Sequence, residues 1–236
     1  MGAPQKESPR NLLTSLVLVF PLFILYQVGV LFTLPMLNGA DFVTVLLFST
    51  LALSVKGYLL FLAVVILAFG LGLAVLKRTQ HFNGRVILPV LLESVIYALT
   101  MGSLIVLVMT RVLGLSSTLA AGLPDQGLLT RLVMSVGAGV YEEAVFRLGL
   151  LSGFIAFFDK ALGMSRWAAV LGAFLLSSVA FSLLHYLPPS GDPWSFGSFT
   201  FRSLAGLAFA TLFKLRGFAV AVYTHAFYDV FVLVLQ

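Results

Sequence analysis

The sequence predicts an all-α fold, a polytopic membrane bundle of about seven transmembrane helices, and three observations lead there. Of the 236 residues, 60% are hydrophobic and only 10% carry a charge. The mean hydropathy is +1.08. The apolar residues gather into runs of roughly 20, the number that spans a hydrocarbon core about 30 Å thick. A water-soluble domain is nearer half apolar and a quarter charged, so this chain has too little polar surface to face water all round. A soluble enzyme, a nucleic-acid binder and a disordered chain are excluded together. Seven such runs use up most of the length, which leaves one membrane domain covering 1–236.

The first span runs from about Leu12 to Phe32 and carries Pro21, which lipid-embedded helices tolerate. It follows Lys6 and Arg10 but is too long for a signal-peptide core, so it reads as an uncleaved span. The stretch from Phe42 to Leu76 exceeds one span and contains Lys56-Gly57. It divides into an interfacial or tilted piece and a second span from about Tyr58. Spans three to five are Val86 to Met109, about Leu132 to Phe154, and Trp167 to Leu187. A loop with Pro188, Pro189, Gly191 and Pro193 follows. Span six is about Phe199 to Leu215, rather short, and span seven is Phe218 to Leu235. No internal repeat is visible.

Charge asymmetry orients the bundle. With the N-terminus inside, the inner segments hold Lys6, Arg10, Lys77, Arg78, Arg85, Lys160, Arg166, Lys214 and Arg216. The outer segments hold Arg111, Arg131 and Arg202. Nine against three satisfies the positive-inside rule and leaves the C-terminus outside. The net charge of +5 reports orientation rather than nucleic-acid binding. There is no cysteine, which excludes disulfides, thiolate metal sites and a cysteine nucleophile.

Ionisable side chains within spans are expensive and mark function by default. They are Glu93, Glu142, Glu143, Arg147, His185, His225 and Asp229. Glu143 and Arg147 stand four apart on one helix face and neutralise each other. Glu142 sits about 100° round the helix, with Phe146 rather than a cation one turn on. An unpartnered carboxylate in a low dielectric is suited to general acid–base work. A structural charge cluster tying helices together explains the spacing equally well. On span seven, His225 and Asp229 are four apart, so Asp229 is placed to orient the imidazole. Phe181 and His185 show the same spacing on span five. His81 lies in a basic loop and reads as solvated. Glu93 lines a cavity or bonds a neighbouring helix and takes no assigned role.

In order along the chain, Glu142-Glu143-x-x-x-Arg147, Phe181-x-x-x-His185 and His225-x-x-x-Asp229 resemble the motifs of the CPBP family. These are the CAAX-processing and bacteriocin-processing intramembrane endopeptidases, which include the Ras-converting CAAX endopeptidase and bacterial myxosortase-type members. Each motif alone is weak, whereas three in order are specific. They fall within a core of about 128–236; upstream, the chain matches only as apolar helices.

The resemblance implies peptide-bond hydrolysis within the membrane. Catalysis then falls to Glu142, His185, His225 and Asp229, with Glu143, Arg147 and Phe181 as structural support. By motif position Glu142 and His185 activate a water, and His225 with Asp229 steadies the oxyanion. Asparagine is common in the family at the last position, and an ionised aspartate cannot donate to an oxyanion. Asp229 is therefore either protonated or confined to holding His225.

No cofactor is expected. Zinc is the alternative, since these side chains are acceptable ligands, but the His-Glu-x-x-His helix of zinc proteases is absent. The expected partners are the lipid bilayer and a membrane-anchored protein or peptide substrate, with no nucleic acid. The compact chain points to a bacterial cytoplasmic membrane. The competing functions are a transporter or proton-relay protein, against which stands the lack of inverted repeats, and a non-catalytic immunity or scaffold relative. The site is expected to open outward. His185 lies at the outer end of span five, but Glu142 is too deep to meet it. Levelling them requires span four to begin later, near Gly137 and Gly139, or span five to extend.

Overall fold

The computed structural model describes residues 11–46, 48, 54–115, 126–187 and 191–234. Among these there is no strand, and eight helices follow in order. They are α1 (Leu12–Thr33), the short α2 (Phe42–Val45), α3 (Val55–Leu76) and α4 (Gly84–Val112). Then come α5 (128–161), α6 (Arg166–Leu184), α7 (Phe196–Arg216) and α8 (Phe218–Val234). Five of them, α1, α3, α4, α6 and α7, are long and apolar enough to cross a bilayer. The protein is thus an integral, multi-pass membrane protein. With α5 and the apolar α8, the seven long helices coincide with the seven expected spans. Lys6, Arg10, Pro188 and Pro189 lie outside the described residues.

Local sequence explains most boundaries. Asn11 caps α1 by accepting from Thr14 N–H at 3.1 Å, and Ser54 caps α3 through Gly57 N–H at 3.2 Å. The Ser54 cap explains why α3 begins three residues before the expected Tyr58. Capping by Ser195 likewise lets α7 start at Phe196, so this helix is longer than its apolar run. Gly217, at φ 102°, turns the chain from α7 directly into α8, a conformation that favours glycine.

The outer surface is apolar. On α3, Leu60 is 68% exposed and Leu67 64%, while only Tyr58 and Leu62 are buried. Such a helix is at home against lipid tails and nowhere else. Its opposite is α8, where every residue from Phe218 to Ala226 except Tyr223 is buried. This central helix is packed by α1, α4, α5 and α7. Ala219, Ala221 and Ala226 keep it slim, as helix interfaces in membranes require. Gly139 of α5 comes so close that a Cβ there would lie 2.7 Å from the Val222 carbonyl oxygen.

Polar bonds fix the level of the helices. Tyr223 Oη donates to the Leu18 carbonyl at 2.8 Å, and Arg131 Nη1 donates to the Leu233 carbonyl at 3.0 Å. The first turn of α5 therefore lies beside the end of α8, and the two run antiparallel. Glu93 finds its partner across the bundle: Arg216 Nη2 is 2.6 Å and Nε 2.9 Å from its Oε2.

Two expectations about span four are corrected. It begins earlier than Leu132, at Leu128, and there is no break at Gly137 or Gly139. Instead the helix widens to i→i+5 hydrogen bonding over Ala138–Glu142 and again over Ala144–Leu151. Span five stops at Leu184 rather than extending, with His185 as its cap. The two helices meet because α6 ends beside the middle of α5 and α8.

Candidate active site

Wide turns in a helix are rare and favour functional positions. Here one such segment ends on Glu142 and the next begins directly after Glu143. A helix with i→i+5 bonding advances less per residue than the about 100° of a regular one. Neighbouring glutamates are thereby drawn toward the same side, and both address one imidazole. His225 Nδ1 lies 2.8 Å from Glu143 Oε1, and His225 Nε2 lies 3.9 Å from Glu142 Oε2.

Glu143 holds the site together. Its Oε2 is 3.1 Å from Arg147 Nε, the ion pair that the four-residue spacing predicts. Glu143 and Arg147 are 0% and 1% exposed, so both charges depend on their partners. The guanidinium also donates from Nη2 to the Gly206 carbonyl at 3.2 Å. Its Cζ stands 4.6 Å from the ring centre of Phe181 and 5.3 Å from that of Phe209, within cation–π range. The chain Arg147–Glu143–His225 thus joins α5, α7 and α8.

The partner of the imidazole differs from the one expected. Asp229 Oδ2 is 3.8 Å from His225 Nε2, too far for a hydrogen bond. Glu143 takes the orienting role instead. An ionised carboxylate only accepts, so Nδ1 carries the proton and Nε2 is turned toward Glu142 and Asp229. The ring is stacked on Phe209, with centroids 4.4 Å apart and planes at 18°.

Phe181 is the apolar hub. Its ring meets Phe146 at 5.3 Å, His185 at 5.3 Å and His225 at 5.9 Å, each edge-on. Its carbonyl lies 3.0 Å from His185 Nδ1. A carbonyl only accepts, so that nitrogen carries the proton and Nε2 keeps its lone pair. His185 is half-buried at the end of α6. Among the described residues no hydrogen bond or ion pair joins it to Glu142. The fold therefore brings Glu142, Glu143, Arg147, Phe181, His225 and Asp229 together, and His185 stands beside them across Phe181.

One participant carries no motif signal at all. Asn38, in the turn between α1 and α2, donates from Nδ2 to Glu142 Oε1 at 2.9 Å. Glu142 Oε2 is buried and, among the described residues, has no hydrogen-bond partner. Beneath the turn lies a polar network. Gln27 binds the hydroxyls of Tyr141 and Tyr58, and the Asn38 N–H donates to the Tyr26 hydroxyl at 3.1 Å. Asp41, fully buried, caps α2 through Thr44 N–H. Burial pushes its carboxyl upward, and its bonds to Thr44 partly offset that. Asn38-Gly39 is legible in the sequence only as a turn.

Residues 124–231 match the family described as Type II CAAX prenyl endopeptidase Rce1-like, a stretch that takes in all three motifs. That segment, a little under half of the chain, is similar to the CAAX endopeptidases. The match begins just before α5 and ends on α8. Among curated proteins and solved structures, nothing matches the chain. CAAX endopeptidases are membrane-embedded proteases that act on protein substrates, and the buried carboxylates and imidazoles lie inside the matched stretch. Among the described residues no group of three or more His, Asp or Glu side chains is arranged to hold a metal ion.

Proposed function

We propose that this protein is an intramembrane endopeptidase in which Glu142 is the general base and His225 the oxyanion donor. One observation carries the proposal. Glu143 pairs with Arg147 at 3.1 Å and lies 2.8 Å from His225 Nδ1, whereas, among the described residues, Glu142 has no Arg or Lys paired with it and keeps a buried oxygen without a hydrogen bond 3.9 Å from His225 Nε2. That distance exceeds a hydrogen bond and suits a single oxygen atom held between the two groups.

In this reading Glu142 takes a proton from water as the oxygen attacks the scissile carbonyl carbon. Negative charge moves to the carbonyl oxygen, where an Nε2–H of doubly protonated His225 meets it. Collapse of the tetrahedral intermediate breaks the C–N bond, and Glu142 returns its proton to the leaving amine. His185, with an Nε2 lone pair, helps to orient the water. Asp229 acts on the free edge of His225 rather than by holding it.

The substrate is a membrane-anchored or exported protein, cut near the outer face of a bacterial cytoplasmic membrane, with the N-terminus of the enzyme inside. Supporting this, α6 runs outward in that orientation, and the site lies at its outer end. Beyond it, Asp192 N–H donates to the His185 carbonyl at 2.8 Å, and Arg202 is paired to Asp192.

The test is Glu142→Gln in purified protein, with a quenched membrane-anchored peptide as substrate. Cleavage is expected to vanish while the melting temperature stays near wild type. Wild-type turnover by this variant would remove Glu142 from the mechanism.

A further inference from the structure

We propose that Asn38 is a positioning residue for Glu142, its side-chain amide selecting which carboxylate oxygen is left to work. Resting on the reading of Glu142 as the base, this assigns a role to the half of the chain outside the family match.

Every polar group of Asn38 is engaged. Its N–H donates to the Tyr26 hydroxyl at 3.1 Å, and its carbonyl accepts from Asp41 N–H at 3.0 Å. Its Oδ1 accepts from Ala40 N–H at 2.8 Å. That last bond settles the orientation of the amide, since an N–H cannot point at an NH2 group. Nδ2 is therefore the atom on Glu142 Oε1, at 2.9 Å. With Oε1 occupied, Oε2 is the oxygen turned to His225. The turn itself is anchored below by Tyr26, which is 0% exposed. The donor thus sits on a rigid support, as a positioning group must.

A plain alternative is that Asn38 only shapes the turn. Oδ1 and Nδ2 separate the two roles. Asn38→Asp keeps an oxygen for Ala40 N–H and removes only the donor, setting a second carboxylate against Glu142. The groups already facing Glu142 are Glu143 and Arg147 on its own helix, His225 and Asp229 on α8, His185 at the end of α6, and the Tyr26–Asp41 side of the turn. Two carboxylates in contact hold one proton between them, so the ionised base forms only at higher pH. Asn38→Ser also serves the turn, but its hydroxyl is too short to reach Glu142.

The experiment measures kcat and KM against pH in lipid nanodiscs, with the quenched membrane-anchored peptide, for wild type, both Asn38 variants and Glu142→Gln. For both Asn38 variants kcat is expected to fall up to about 100-fold at neutral pH, the order that a misplaced catalytic group costs, with KM held. In Asn38→Asp the acidic limb should also move up, with kcat above it still below wild type because the donor is missing; in Asn38→Ser the limb should stay. Wild-type kcat and pH profile in both variants, with Glu142→Gln inactive, overturns the role of Asn38 alone. A lowered melting temperature with an unchanged profile overturns it in favour of the turn. Normal turnover by Glu142→Gln instead sinks the reading of the base.

Discussion

Replacing Arg147 tests how folding and chemistry share one ion pair. In Arg147→Leu the Glu143 carboxylate stays 0% exposed and loses its Nε partner at 3.1 Å. Removing one member of a buried pair typically costs about 3–5 kcal/mol. At roughly 2–4 °C per kcal/mol for a chain of this size, melting should fall by about 6–20 °C. The lost bond to the Gly206 carbonyl and the Phe181 face belong to the same disruption and are not added separately. The double variant Glu143→Leu/Arg147→Leu removes both charges, and a well-packed apolar pair of this kind is often neutral or stabilising. Its melting temperature should recover most of the loss. Activity should not recover, because His225 Nδ1 has lost the carboxylate that holds it at 2.8 Å. Thermal unfolding in nanodiscs and peptide cleavage on the same samples give both numbers. A double variant as unstable as the single one, or one that cleaves normally, refutes the reasoning.

Gly139→Ala should destabilise by about 1–3 kcal/mol, as overpacking does, because its Cβ would press on the Val222 carbonyl and on Ala226; thermal melting checks this, and an unchanged melt contradicts the close approach of α5 to α8. Chelation should leave cleavage intact, since among the described residues no three His, Asp or Glu side chains are arranged to hold a metal ion. A loss that zinc restores would move the mechanism to a metalloprotease. In this cysteine-free chain, Tyr186→Cys should react with an impermeant maleimide added outside intact cells; labelling from the cytoplasmic side only would invert the orientation and the site with it.

Much of this was legible in the sequence for physical reasons. Lipid admits few backbone solutions, so hydropathy alone locates the helices. Glu143 and Arg147 meet because four residues is one turn, a rule that survives the wide turns of α5. The i,i+4 rule misleads at Asp229, where spacing suggested a bond and the imidazole turned to another helix. Spacing within a helix reports who shares a face; it cannot report which neighbour outbids that face. Asn38 was invisible for the same reason, since its partner lies 104 residues away and no periodicity links a turn to a span. The meeting of Glu142 with the end of α6 was not legible because it depends on how the helices are staggered against one another, which spacing within one helix does not report.

The central place of α8 bears on when the enzyme becomes active during its own synthesis. Helices enter the membrane in chain order, and α8 is the last of those described. Until it arrives, the Glu142 and Glu143 carboxylates and the Arg147 cation are already in the bilayer without His225. On the proposed mechanism, the newborn chain then holds the base without its oxyanion donor. When α8 slides into the middle of the bundle it completes the packing and the catalytic set in one event. If the proposed mechanism holds, a half-inserted molecule is inert, and the membrane is spared a protease that cuts before it has folded.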